Sequence, residues 1–256
     1  MSVLWVFVEA LSAPGPIELA PEEARHVAAR RLRVGDGLLG FDGAGRTAEL
    51  RLERIGKGGA RVEVGAIRRS PRPQGTAVVA SAIPRSERLG TMLQMLTQIG
   101  VAAWQPLVLE DSVVRKLDPE AKRISRILVE SCKVARRPWL LDVRPPCSLE
   151  AALAGRTPGS AVFFGDRAGS SAGLAASTGL VLIGPEAGFS PSERRILEAA
   201  GARPRSFAAH NLRIETAAVA AAVALHLAGL GRATPDEGGE VEGGSPGRRG
   251  GADDAG

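Results

Sequence analysis

The chain has 256 residues, 44% of them apolar and 24% charged, with a formal net charge of +5. That length holds one large or two modest domains with real cores, and no apolar run approaches the ~20 residues of a bilayer span, so a globular protein rather than a membrane protein is expected. Of the 33 basic residues 29 are arginine, whose planar donor fork suits phosphates and base stacking; this points to an anionic polymer such as RNA, or else to a genome biased toward Arg, Ala and Gly codons. Cys132 and Cys147 stand in no metal-ligand spacing, so no metal is expected and both read as reduced structural thiols.

The amino terminus, MSVLWVFVEA, has no basic leader and reads as a strand, which predicts a cytoplasmic protein. PEEARHVAARRLRVGDG follows as a short helix carrying His26, Arg30, Arg31 and Arg33, which form either a phosphate-contacting patch or a solvated helix face. DGLLGFDG, RTAELRLERI and GARVEVGAI are three short strands with Gly-containing turns between them, the last two alternating apolar and polar residues. Together they predict a small β-barrel over residues 1–72, closed off by the Pro- and Gly-broken stretch RRSPRPQGT.

Strand and helix then alternate over residues 73–230. TAVVASAI is a buried strand. SERLGTMLQMLTQIG is a helix with Ser86 as its cap, Leu89, Met92, Leu93 and Leu96 on one face, both methionines as core fillers, and Gly100 as its stop. After the strand WQPLVLE, the helix DPEAKRISRILVESCKVARR opens with Asp118 as cap and Pro119 at the first helical position, burying Ile124, Ile127, Leu128, Cys132 and Ala135. SAVFFGD, GLVLI and RSFAA are further strands, and SPSERRILEAAG and ETAAVAAAVALHLAGL the remaining helices. This alternation predicts a parallel α/β sheet with helices on both faces. The last stretch, 231–256, is Gly-rich and acidic with no apolar period and reads as a disordered tail; without its three basic and six acidic side chains the formal charge rises from +5 to +8.

Two loops carry the functional signal. Gly184-Pro185-Glu186-Ala187-Gly188 leaves the end of an apolar strand, where open α/β sheets place their ligands, and runs into a capping box, Ser190-Pro191-Ser192-Glu193. No Lys-Ser/Thr pair follows and no G-x-G-x-x-G is present, so nucleoside triphosphates and dinucleotides are excluded. Further on, Asn211-Leu212-Arg213-Ile214-Glu215-Thr216 leads straight into an Ala-rich helix.

The pair of loops resembles the SPOUT methyltransferases, and within them the RsmE-type enzymes that methylate N3 of a uridine in small-subunit ribosomal RNA. Gly184, Pro185, Glu186 and Gly188, then Leu212, Arg213, Glu215, Thr216 and Ala217, match the family pattern. The resemblance extends over residues 1–230, including a His-x-x-x-Arg entry, His26 to Arg30, in a PUA-like barrel. It implies an α/β fold with a SPOUT-type trefoil knot behind that barrel and S-adenosylmethionine as cofactor. The implied cofactor contacts are Phe164, Gly165, Gly184, Glu186, Gly188, Phe207, Asn211 and Leu212. Arg213 and Glu215 are the implied catalytic residues, His26, Arg30 and Arg31 the RNA contacts, and ribosomal RNA or the small subunit the substrate of a homodimer joined through the last helix.

The chain departs from the family at Ala187, where the pattern has glycine, at His210 and Asn211, at Met95 and Gln98 where Lys and Glu are expected, and at Lys133-Val134 where Glu-Gln is expected. Two alternatives stand beside the uridine methyltransferase: a SPOUT enzyme acting on a ribose 2′-hydroxyl, and an RNA-binding protein that kept the knot without turnover. Arg213 and Glu215 are also the residue types of an internal ion pair.

Overall fold

The computed structural model describes residues 3–72, 78–174 and 178–230; the expected tail lies outside them. Strands β1 (Leu4–Phe7), β2 (Gly15–Glu18), β3 (Gly37–Phe41), β4 (Arg46–Gly56) and β5 (Gly59–Arg69) form one five-stranded sheet in the order β1-β3-β4-β5-β2, with helix α1 (Pro21–Ala29) against it. The alternation read in β4 and β5 sets its faces: Ala48, Leu50, Leu52, Ala60, Val62 and Val64 are buried, while Glu49, Arg51, Arg61 and Glu63 face solvent. Val6 of β1 and Ile17 of β2, at opposite edges, join the same core, so the sheet wraps around it. The four expected strands, the amino-terminal one included, and the helix form where expected, and β2 is an addition.

The second sheet holds β6 (Val78–Ala82), β7 (Ala103–Leu107), β8 (Asp142–Val143), β9 (Ala161–Ser170), β10 (Thr178–Ile183) and β11 (Arg203–Arg205) in the order β11-β9-β10-β6-β7-β8, every pairing parallel. Alternate residues of each strand feed two cores. Val79, Phe163, Val181 and Ile183 pack on the side of α2 (Ser86–Ile99), α3 (Lys122–Ala135) and α6 (Ile214–Leu230); Ala80, Val162, Phe164 and Leu182 pack on the side of α4 (Leu149–Ala154) and α5 (Pro191–Ala199). Burial on both faces is why these strands read as continuous apolar runs.

Several local expectations are corrected. The cap of α2 is Arg85, not Ser86, which is already helical and makes no capping bond. Gly100 does end α2, in the left-handed conformation at φ +97. Helix α3 starts at Lys122 because Asp118 spends its carboxylate and carbonyl on Glu120 and Ala121 in a preceding turn. Met92 is a core filler but Met95 is 43% exposed, and Ala135 also faces solvent. The strand expected at 205–209 lies at Arg203–Arg205; as an edge strand it tolerates Pro204.

The chain path is what builds the site. From edge strand β11 it returns across the carboxyl ends of β9 and β10 and lays α6 against α2, β6 and β10. Small side chains make this close approach possible: Ala218, Ala221 and Ala222 are wholly buried beneath α6.

The two sheets are joined by a tight seam. Gly43 accepts from the Leu140 amide at 2.9 Å, and the Gly45 amide donates to Pro138 at 3.0 Å. Phe41 packs with Val129, Cys132 and Leu140. Lys133, one of the departures, is buried and paired with Glu23 of α1, with His26 Nδ1 3.5 Å from its ammonium. Cys132 is buried and its Sγ meets the Trp139 carbonyl at 3.3 Å; burial pushes its pKa up to about 11 although Arg137 pulls the other way, as expected of a structural thiol.

Candidate active site

The loop Gly184–Gly188 closes on itself at the carboxyl end of β10. The Gly188 amide donates to the Pro185 carbonyl at 2.8 Å, which puts Glu186 and Ala187 at the corners of a tight turn. A Cβ on Gly184 would lie 3.2 Å from the Gly188 carbonyl carbon and 3.3 Å from the Phe189 ring, so a side chain there would press the turn and the Phe189 ring apart by a few tenths of an ångström. The one left-handed residue is Gly188, at φ +84; Ala187 has no positive φ, so the alanine departure costs the turn nothing.

The start of α5 fastens this loop. Ser190 and Glu193 form the expected capping box, with Pro191 in the first turn, and the same Glu193 carboxylate accepts from the Glu110 amide at 2.9 Å. The Ser192 hydroxyl donates to Glu110 at 2.5 Å; with Ser190, it holds the Glu110 carboxyl below its ordinary value. On the other side Arg194 pairs with Asp166 at 2.5 Å and reaches the Phe189 carbonyl at 3.3 Å. Burial acts to raise the Asp166 carboxyl, but Arg194 and the Ala168 amide outweigh it and hold the carboxyl low.

Three of the sequence-chosen positions meet here. A Cβ on Gly165 would lie 3.0 Å from Ile183 and 3.8 Å from the Phe207 ring, so Gly165, the root of the Gly184 loop and Phe207 are neighbours. Phe164 instead points into the opposite core, 4% exposed and edge-on to Phe189 at 5.8 Å. Beyond Ser206, which bonds to Ser170 and Ala208, the chain runs through exposed His210, Asn211 and Arg213 and half-buried Leu212 into α6. Among the described residues the side chains of Glu186, His210, Asn211 and Arg213 make no hydrogen bond or ion pair. The loops thus offer glycine, small side chains and backbone for a ligand, rimmed by unengaged polar groups, which fits a cofactor held largely by main chain.

Arg213 and Glu215 are not paired with each other. Glu215 lies 3.8 Å from the Nε of Arg88, in the first turn of α2, and its second carboxylate oxygen is buried without a partner. Arg85, Arg88, Ser112, Pro185, Glu186 and Ile214 line a cleft of about 190 Å³ at this point. Sequence reasoning missed Arg85 and Arg88, whose only signal was two arginines three apart at a helix start. Arg30 and Arg31 are exposed at the end of α1, distant in the chain from these loops, and His26 is half-buried beside Lys133. No cluster of three or more His, Cys, Asp or Glu suited to a metal occurs among the described residues, and no helix there is long and apolar enough to cross a membrane.

The chain thus joins a small β domain to a parallel α/β sheet whose glycine loops gather where α6 crosses back over it. The profile of the RNA methyltransferase domain matches residues 70–226, so the chain belongs to that family of enzymes. It is 28% identical to the ribosomal RNA small subunit methyltransferase E of Mycobacterium bovis over 90% of this chain and 92% of that protein, and 25% identical to the one of Rickettsia conorii over 86% and 93%. Among solved structures, the methyltransferase E of Neisseria gonorrhoeae bound to S-adenosylmethionine superposes with a TM-score of 0.74 at 25% identity, covering 88% of this chain and 98% of that one. A probable rRNA methyltransferase of Porphyromonas gingivalis gives 0.78 at 25%, covering 89% and 99%. The expected fold class, an α/β SPOUT-type domain behind a PUA-like barrel, is the one the chain adopts.

Proposed function

We propose that this protein transfers the methyl group of S-adenosylmethionine to N3 of a uridine in small-subunit ribosomal RNA. The observation that carries the reading is the junction of two sites: the Gly165–Gly184–Phe207 cradle, and beside it the arginine-lined cleft where Glu215 keeps a buried carboxylate oxygen unpartnered. Bound in the cradle, the cofactor supplies an electrophilic methyl group on a sulfonium. Gly165, Gly184, Glu186, Gly188, Phe207, Asn211 and Leu212 hold it, and the crossing of α6 over the sheet is the family's trefoil knot, an exception to the usual absence of knots.

The chemistry demanded of the side chains is modest. Uracil N3 carries a weakly acidic proton that must leave as the N–C bond forms. The Glu215 carboxylate takes that proton, directly or through a water, and Arg213 stabilises the negative charge that develops on the flanking carbonyls. Positioning supplies the rest of the rate. Arg30, Arg31 and His26 on the barrel, residues 1–72, carry the RNA to the domain formed by residues 73–230. Met95, Val223 and Leu227 are apolar, exposed, and lie on neighbouring helices α2 and α6, which supports a homodimer joined there. The substrate places the enzyme in the cytoplasm. Nucleoside analysis of small-subunit RNA from a deletion strain tests the reading: loss of an N3-methylated uridine is expected, whereas loss of a ribose-methylated nucleoside would move the reaction to the 2′-hydroxyl, and no loss would leave a non-catalytic binder.

A further inference from the structure

A second cleft, of about 510 Å³, lies on the domain seam and takes no part in the site above; it is lined by Arg69, Ser70, Pro71, Arg72 and Trp139. Its floor is unusually fixed. Trp139 donates its indole N–H to the Pro71 carbonyl at 3.1 Å, its backbone pairs with Ala44, and its ring occupies the space where a side chain on Gly45 would be, 2.3 Å from that Cβ position. Above it the Arg72 guanidinium stands 5.8 Å from the ring centroid. Arg69 and Arg72 are exposed and, among the described residues, neither meets a carboxylate; the neighbouring Arg68 is matched by Glu49 at 3.5 Å. The cleft therefore couples an immobilised indole with two uncompensated guanidinium groups.

We infer that this cleft binds a single-stranded segment of the RNA substrate, with one unpaired base stacked on Trp139 in place of the Arg72 guanidinium, and the adjoining phosphates held by Arg69 and the displaced Arg72. A fixed aromatic plane with flanking arginines is the chemistry that holds single strands without reading their sequence. The inference rests on RNA being the substrate. Trp139 precedes β8, whose Asp142 pairs with Ala103 at the start of β7, so the cleft lies at the amino-terminal end of the parallel sheet. The cofactor loops leave the other end, at least a six-residue strand away, about 20 Å. Within one subunit the cleft thus engages RNA flanking the target and acts on binding rather than on methyl transfer.

The test uses the full chain and a single-stranded oligoribonucleotide covering the methylated site. Measured in a Trp5→Phe background, which removes the half-buried indole beside Phe41, binding should quench tryptophan fluorescence and lose most of that quenching in Trp139→Leu, because the remaining Trp104 is wholly buried. Trp139→Leu should weaken RNA affinity about tenfold with the salt dependence unchanged. The double change of Arg69 and Arg72 to Ala, which touches only exposed side chains, should weaken affinity and flatten the log-log salt slope by about 1.4. Both should raise KM for RNA and leave kcat and cofactor affinity near parental. Parental affinity in the double variant, or equal losses on a blunt duplex of the same length, would overturn the inference. Failure of the methyl-transfer reading is distinct: the parent itself would then incorporate no methyl group into RNA.

Discussion

Two glycines, Gly45 on the seam and Gly188 in the loop proposed to hold the cofactor, both have positive φ, at +90 and +84, yet their surroundings are opposite. The missing side chain of Gly45 is replaced by the Trp139 ring, whereas a Cβ on Gly188 would meet nothing closer than Arg194, at 4.0 Å. The same contrast runs through the polar groups. At the seam Lys133 is paired with Glu23 and the backbone of 138–140 is bonded to 43–45, and beside it Arg137 reaches the Thr97 and Val101 carbonyls at 3.0 and 2.7 Å, although Glu23 Oε2 and Arg137 Nε stay buried without a partner. At the loops Glu186, Asn211 and Arg213 hold nothing. The side chains that join the two domains are committed to the fold, whereas these three loop side chains are left free.

The largest effect that would break this contrast is at Lys133. Its side chain and that of Glu23 are 6% and 7% exposed, so Lys133→Ala strands a buried carboxylate and should cost about 3–5 kcal/mol, read by denaturant unfolding. A loss below ~1 kcal/mol would mean that the seam is not a structural joint. Next come the glycines. Gly45→Ala combines a disfavoured φ with a clash into a fixed ring and should cost about 2–4 kcal/mol. Gly188→Ala carries only the backbone cost, about 1–2 kcal/mol, while reducing S-adenosylmethionine affinity measured by calorimetry. Equal destabilisation by the two would erase the distinction between them.

Smaller, and dependent on pH, is the Asp166–Arg194 strut. Because the folded Asp166 carboxyl is held below its ordinary value, its stabilising contribution is present above the unfolded pKa of about 4 and is lost as pH falls through the folded value. Asp166→Asn should therefore lower stability at neutral pH and make the acid limb of the stability profile shallower. An unchanged acid limb would show that the strut contributes nothing to holding Phe189 and its loop.

How much of this was legible in the sequence follows from the range of the interactions. The β4 and β5 alternation, the Ser190–Glu193 capping box and the Gly100 stop are local patterns, and each forms where the residues indicate. The start of α3 was misplaced because Asp118 caps a turn, not a helix; both uses look alike in sequence. Lys133 and Trp139 were opaque because their partners, Glu23 in α1 and Gly45 in the turn before β4, lie over ninety residues away in the amino-terminal domain. The Arg88–Glu215 contact was hidden for the same reason: it depends on α6 crossing back to α2. Loop motifs could be read as motifs, but not the neighbours the fold would bring to them.

Arg213 gives the most direct measurement of the central claim, that the loops hold their side chains free for methyl transfer. It is exposed and, among the described residues, without a partner, so Arg213→Ala should change stability by no more than about 0.5 kcal/mol. With saturating RNA and S-adenosylmethionine, the single-turnover methylation rate of this variant should fall by about a hundredfold or more, with cofactor affinity unchanged. A folded Arg213→Ala enzyme that methylates at the parental rate would contradict the account.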